Sequence, residues 1–251
     1  SYADDLPLQE WLTKQVFPME AKLTGENIYT FTKLAILEYL SSGITASFDM
    51  YFKLDDYVKA NTDAGFRTVI CSSTNDFGGS PKQDEQDFLK FNSISPLVSY
   101  KFGCHAEYTT KLETIKEIAK LCQKYKAPFY VHNSETGLEV EECIARHGKT
   151  PTELFNELGL FEYGGGGYHC VHLSKNDLKI FKDKDLWAIT NPGSNTKLAS
   201  GVADISKMLD IGINIAIGTD GAASNNALDM FREMYLVTGL QKLKYMGAAV
   251  C

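Results

Sequence analysis

Three short groups of polar residues carry the chemistry available to this chain. Val131-His132-Asn133-Ser134-Glu135 comes first, then Tyr168-His169-Cys170-Val171-His172, then Gly218-Thr219-Asp220-Gly221. Imidazole nitrogens and a carboxylate are ligands for a zinc-like divalent ion, and a further carboxyl group beside them can carry protons. Two His, a Glu and an Asp brought together would suit metal-assisted hydrolysis.

Such a site needs elements that deliver all three groups to one place. Each group follows or lies within an apolar run that reads as a buried strand: Pro128 to Val131, Tyr168 to Leu173, and Ile213 to Ile217. Four more strand-like runs are Ile44 to Met50, Phe66 to Ser73, Leu97 to Cys104 and Leu186 to Thr190. Helix-like segments alternate with them, at 54–64, 84–92, 111–125, 139–147, 151–158, 175–181, 202–211 and 228–243. An earlier helix opens at Thr24 and repeats apolar residues at Ile28, Phe31, Leu34, Ala35, Leu37 and Leu40. Alternation of this kind predicts an α/β fold with parallel strands covered by helices, a TIM-like β/α barrel whose chemistry gathers at the C-terminal strand ends. His105, His132, His169 and Asp220 would then share one mouth. A closed barrel of this type has eight strands, and only seven runs are visible. Residues 1–251 are therefore expected to form a single, partial barrel domain, lacking its first strand and a C-terminal part. The run Gly164 to Gly167 reads as a flexible loop before a strand, because glycine weakens strands.

Composition excludes several classes of function. The formal net charge is -7 and no basic run interrupts it, which argues against nucleic acid as a partner. No stretch is apolar for long enough to span a bilayer, and Ser1-Tyr2-Ala3-Asp4-Asp5 does not open like a secretory signal. The six Cys lack CxxC spacing and read as reduced, buried thiols of a cytoplasmic protein. A small-molecule substrate is the expected partner, and homo-oligomerisation is left open.

The motifs resemble those of a known family. Gly218-Thr219-Asp220-Gly221-Ala222-Ala223-Ser224-Asn225-Asn226, followed by Leu228-Asp229-Met230-Phe231, is similar to the last-strand motif of 5-methylthioadenosine/S-adenosylhomocysteine deaminases of the amidohydrolase superfamily. Asn191-Pro192-Gly193-Ser194-Asn195 with Lys197-Leu198-Ala199-Ser200-Gly201, and His169-Cys170-Val171-His172-Leu173, resemble two further motifs of that family. Ala3-Asp4-Asp5-Leu6-Pro7-Leu8 with Trp11-Leu12 and Pro18-Met19-Glu20 resembles the segment after its first strand.

The resemblance implies hydrolytic deamination of an adenosine-like nucleoside, with a metal-bound hydroxide attacking the purine carbon that bears the amino group. It implies one divalent metal, zinc in kind, held by an HxH pair, a later His and an Asp. His132 and Asp220 match the last two ligands, and the HxH pair is absent, so the ligand set is incomplete. Glu135 matches the general acid/base, and Asp220 also takes a proton from the water. His169 matches a residue that hydrogen-bonds the attacking oxygen. Glu20 matches a carboxylate that holds ribose hydroxyls, and His105 and Ser224 match substrate contacts. Each residue has a plainer reading: a core His for His132, a solvated Glu for Glu135 and Glu20, a helix cap for Asp220. His172 reads as structural. Family members carry Arg residues that contact the far end of the substrate, near the third strand and its following loop. The matching stretches here, Cys71-Ser72-Ser73-Thr74 and Gly78-Gly79-Ser80-Pro81-Lys82, contain none, and Lys cannot replace a bidentate Arg. The alternatives are a related amidohydrolase acting on another amino- or chloro-substituted heterocycle, or a non-catalytic fragment without the HxH ligands.

Overall fold

The computed structural model describes residues 6–251. Of the motif segments, Ala3-Asp4-Asp5 lies outside the described residues. Seven strands form one sheet in the order β1-β2-β3-β4-β5-β6-β7, every neighbouring pair parallel. They are β1 Ala46–Met50, β2 Arg67–Cys71, β3 Val98–Ala106, β4 Phe129–Asn133, β5 Gly165–His169, β6 Trp187–Thr190 and β7 Asn214–Ile217. Helices cross between successive strands, the arrangement that parallel pairing demands.

The sheet is strongly curved. Phe48 of β1 lies 4.7 Å from the ring of Tyr130 in β4 and 5.8 Å from that of Tyr168 in β5. A flat sheet would hold β1 about 14 Å from β4 and about 19 Å from β5, so these contacts require it to curl toward a barrel. Its outer layer is apolar. Phe129 and Val131 of β4 alternate with Tyr130 and His132, and join Phe155, Phe161, Phe102, Ile115 and Ile118 in one continuous buried core. Tyr130 and His132 therefore face the inside of the curve.

β5 corrects the reading of the glycine run. Gly165, Gly166 and Gly167 are buried strand residues paired with β4 and β6, and the strand ends at His169 instead of beginning at Tyr168. There is no space here for side chains. A Cβ on Gly165 would fall 1.9 Å from the Phe129 carbonyl oxygen, and one on Gly166 would fall 2.2 Å from that of Trp187. Glycine is required by the close approach of neighbouring backbones, not by flexibility.

The helix Gly25–Ser41 also departs from expectation. Ile28 and Ile36 are its buried residues, while Phe31, Leu34, Leu37 and Leu40 are exposed. The helix packs on the helix Leu54–Asp63, which follows the edge strand β1, and the stripe is left uncovered by the described residues. Smaller differences come from local chemistry. Ser80 caps the helix Pro81–Phe91 with Pro at its first turn, so the helix starts before Asp84. His105 falls within β3, not after it.

Candidate active site

The polar residues at the C-terminal strand ends converge inside the curve. His105 is the last but one residue of β3, inside a break in register between Gly103 and Ala106 that re-aims the strand end. His132 ends β4, His169 ends β5, and Asp220 follows β7. The His105 and His132 rings are 4.8 Å apart and those of His132 and His169 5.5 Å. His169 Nε2 lies 3.6 Å from a Glu135 carboxylate oxygen and 3.9 Å from one of Asp220. Five of the residues singled out in the sequence thus form one cluster.

Local backbone strain places these side chains. Ser134, His169, Cys170 and Asp220 all have positive φ, at 52°, 69°, 52° and 58°. Left-handed non-glycine residues cost about 1–3 kcal/mol each and persist only where the surroundings over-determine them. All four sit where β4, β5 and β7 turn into the site.

The imidazoles are oriented by hydrogen bonds on one side only. His132 Nδ1 donates to the His105 carbonyl oxygen at 2.7 Å, and His169 Nδ1 donates to Asn195 Oδ1 at 2.8 Å. His105 Nδ1 meets Thr109 Oγ1 at 2.9 Å, whose own hydroxyl donates to the Ala106 carbonyl. Both His132 and His169 therefore carry an Nε2 lone pair. Burial lowers the pKa of all three His, that of His105 to about 3, so they are neutral. Burial acts oppositely on Glu135, which is 3% exposed, and raises its pKa to about 7. Partial burial would raise Asp220 as well, but His169 and His132 beside it hold it below the usual carboxylate range.

This set suits a cation. Two imidazole lone pairs and two carboxylates face one space, and Ser200 Oγ, donating to Glu135 at 3.3 Å, is the donor the hydrogen bonds place there. Among the described residues, no group of three or more His, Cys, Asp or Glu is arranged to hold a metal ion unaided. His132 Nε2 and the Asp220 carboxylate are the donors here that could enter a ligand shell completed by other groups.

Sequence reasoning missed three supporting residues. Asn195 fixes the His169 tautomer, and Ser200 touches Glu135. Glu139, 1% exposed, accepts the backbone N–H of Ser134 at 2.9 Å and of Glu135 at 2.7 Å, one on each carboxylate oxygen. Thr136 caps the same helix, so Thr136-x-x-Glu139 was a legible signal. His172 donates through Nε2 to the Ser200 carbonyl at 2.7 Å and so anchors the loop that holds Ser200. Glu20 reaches the end of β1 through a hydrogen bond with Tyr51, and burial raises its pKa. Ser224 is buried and donates to the Gly221 carbonyl, so its hydroxyl is engaged within its own turn.

Glu139→Gln tests the support beneath Glu135. An amide would set NH2 against one of the two N–H groups, and leaving that donor unpaired costs about 1–3 kcal/mol. Burial raises the Glu139 pKa to about 8. A carboxyl raised above its unfolded value near 4.5 stabilises the fold fully below that pH, and the contribution is lost as pH rises through 8. The stability gap between wild type and Glu139→Gln, from denaturant titrations at pH 5 and pH 8, is therefore expected to narrow at the higher pH. A gap that widens would contradict this account.

Comparison with known proteins agrees with this geometry. A profile of the Amidohydrolase family matches residues 1–250. The chain belongs to the amidohydrolase family. It is 38% identical over 258 residues to a 5-methylthioadenosine/S-adenosylhomocysteine deaminase of Thermoanaerobacter pseudethanolicus, covering 100% of this chain and 60% of the relative. A 5'-deoxyadenosine deaminase of Methanopyrus kandleri is 36% identical over 97% of this chain and 58% of its own length. Among solved structures, an adenosine deaminase from Xanthomonas campestris with bound zinc superposes with a TM-score of 0.91 at 30% identity, over 99% of this chain and 58% of that one. This amidohydrolase chain thus spans about 60% of the length of the curated relatives it matches, and its curved sheet is a partial TIM-like barrel. Five of its six Cys are buried and all six are free, and no helix among the described residues is long and apolar enough to cross a membrane.

Proposed function

We propose that the protein to which this chain belongs is a hydrolytic deaminase of adenosine-like nucleosides. The observation that carries this reading is Glu135: a buried carboxyl with a pKa near 7, 3.6 Å from His169 Nε2 in a cluster that includes Asp220. A general acid/base works best when its pKa lies near the working pH. The names of the relatives supply the substrate class.

A divalent ion, zinc in kind, would take His132 and Asp220 from this chain and would supply the Lewis acidity that makes water nucleophilic at neutral pH. The remaining roles belong to the chain's own groups. Glu135 protonates the purine ring nitrogen beside the reacting carbon, making that carbon electrophilic; it then takes the proton of the hydroxyl newly added to that carbon and passes it to the amine, which leaves as ammonia while the carbonyl forms. His169 accepts a hydrogen bond from the attacking water through Nε2, because Asn195 holds its other nitrogen as the donor. Asp220, kept ionised by the neighbouring His, takes up the proton that water loses. Glu20 accepts both hydroxyls of the ribose diol, and His105 lines the sugar side of the mouth.

The test is turnover of adenosine, 5'-methylthioadenosine and 5'-deoxyadenosine by the intact protein, followed as ammonia released together with the adenine-to-hypoxanthine absorbance change. Stoichiometric ammonia from at least one nucleoside is expected. A zinc-replete protein that releases none from any of them refutes the reading.

A further inference from the structure

We propose that Glu107 is a positioning residue of this site: its buried ion pair with Arg146 and His147 fixes the end of β3, and through it the imidazoles of His105 and His132. The inference rests on the deaminase reading and adds a residue to its machinery.

The end of β3 needs a brace from outside the sheet. Its pairing with β4 shifts register between Gly103 and Ala106, so Cys104 and His105 have no partner residue on that side. From the β2 side His105 N donates to the Thr74 carbonyl at 3.0 Å. This loosely laddered stretch nevertheless sets two rings of the cluster. The His105 carbonyl accepts from His132 Nδ1 at 2.7 Å, which leaves Nε2 of His132 as the nitrogen offered to a metal. The His105 ring is set by Thr109, whose hydroxyl donates to the Ala106 carbonyl at 3.2 Å and therefore accepts from His105 Nδ1 at 2.9 Å.

Glu107 opens the short helical turn Glu107–Thr109 that carries Thr109. Its side chain is 3% exposed. The carboxylate meets the last turn of the helix Gly137–His147: Arg146 Nη2 donates to one oxygen, while Arg146 Nε at 3.3 Å and His147 Nε2 at 3.0 Å donate to the other. The guanidinium thus grips both oxygens in the planar, bidentate way that fixes direction as well as distance. The first turn of that same helix holds Glu139, which accepts the backbone N–H of Ser134 and of Glu135. One helix therefore supports the backbone of Glu135 at its start and, through Glu107, the strand end that orients His132 and His105.

Stability does not account for this pair. Taking a carboxylate out of water is costly, and a buried ion pair is often no more stabilising than well-packed apolar groups of the same volume. Arg146 and His147 keep side-chain exposures of 40% and 22%, so both reach water without Glu107, and Arg146 has Glu142 at 3.4 Å one turn back. What the pair supplies and an apolar contact does not is a fixed orientation of the turn that follows His105.

The experiment uses the intact protein as wild type, Glu107→Gln, Arg146→Met, Arg146→Lys and the double variant Glu107→Gln/Arg146→Met. It reads kcat and KM for a nucleoside that wild type deaminates, zinc affinity by competition with a chelator, and the denaturant midpoint. Glu107→Gln and Arg146→Met should each lower kcat and zinc affinity by about tenfold, the lower end of what partners behind a metal ligand are worth. The loss should be larger in kcat than in KM, because Glu20 still holds the ribose. The double variant should be no worse than the worse single, since both substitutions remove the same pair. Arg146→Lys should recover only part of the loss, because an ammonium cannot form the fork. A merely structural role would move the denaturant midpoint and leave kcat and zinc affinity of the folded protein alone. The proposal is overturned by kcat and zinc affinity both within about twofold of wild type in folded Glu107→Gln, or by losses that multiply in full in the double variant. If Glu107→Gln does not fold, Arg146→Met carries the same test from a side chain that is 40% exposed. A wild type that deaminates no nucleoside refutes the deaminase reading, and zinc affinity then still decides whether Glu107 positions His132.

Discussion

Glu135→Gln is expected to lower nucleoside deamination by about 10²- to 10⁴-fold, the usual worth of a positioned general acid/base, with bound metal unchanged. The substitution preserves shape. The backbone N–H of Glu135 is held by Glu139, and a glutamine oxygen can still accept from Ser200 Oγ. What disappears is titration. Burial brings the Glu135 carboxyl to a pKa of about 7, where it can give and regain a proton within one turnover, and an amide cannot do either. The loss should fall on kcat more than on KM, because the proton is needed at the transition state and the ribose contacts of Glu20 are untouched. The measurement is steady-state turnover alongside metal analysis of the same preparation. A kcat within about threefold of wild type would remove Glu135 from the mechanism. Loss of metal in this variant would show that Glu135 is a ligand and not a proton carrier.

The strand ends were legible because the strands are apolar runs, and a parallel sheet puts whatever follows each run at one mouth. His132, Glu135, His169 and Asp220 come together on that logic alone. β5 was misread for a physical reason. Its identity as a strand lies in the backbones of Phe129 and Trp187 on either side, which leave no room for a Cβ, and a run of glycines carries no trace of its neighbours. Residues that act on the cluster from other elements were also hidden. Asn195 reaches His169 across 26 residues, and Ser200 reaches Glu135 across 65. Glu139 was different, since its spacing from Thr136 announces a helix start, but nothing local says that its two oxygens turn back to Ser134 and Glu135. The stripe Phe31, Leu34, Leu37 and Leu40 shows the limit of periodicity. Spacing reveals that a helix has an apolar face, while what covers that face is a property of the whole fold.

His132→Ala is expected to remove metal and activity together, in contrast to Glu135→Gln. The His132 ring is held from behind by its bond to the His105 carbonyl, so Nε2 is the nitrogen that faces Asp220 and His169. Deleting a ligand should weaken metal binding at least as much as losing a supporting hydrogen bond does, by about 100-fold or more. The truncation also leaves the His105 carbonyl without its donor, so lost activity alone would not separate a ligand from a packing residue. Metal-linked stability separates them. Zinc at 100 times its dissociation constant stabilises a protein that binds it only when folded by about 2.7 kcal/mol. Wild type should therefore unfold at a higher denaturant concentration with zinc than with chelator. His132→Ala should unfold at one concentration in both, close to that of chelator-treated wild type or below it. The variant's midpoint in chelator gives the packing cost, and the missing zinc response gives the ligand's contribution. A variant that keeps stoichiometric zinc and the full zinc response would place His132 outside the ligand shell, and would leave its ring as a packing group between His105 and His169.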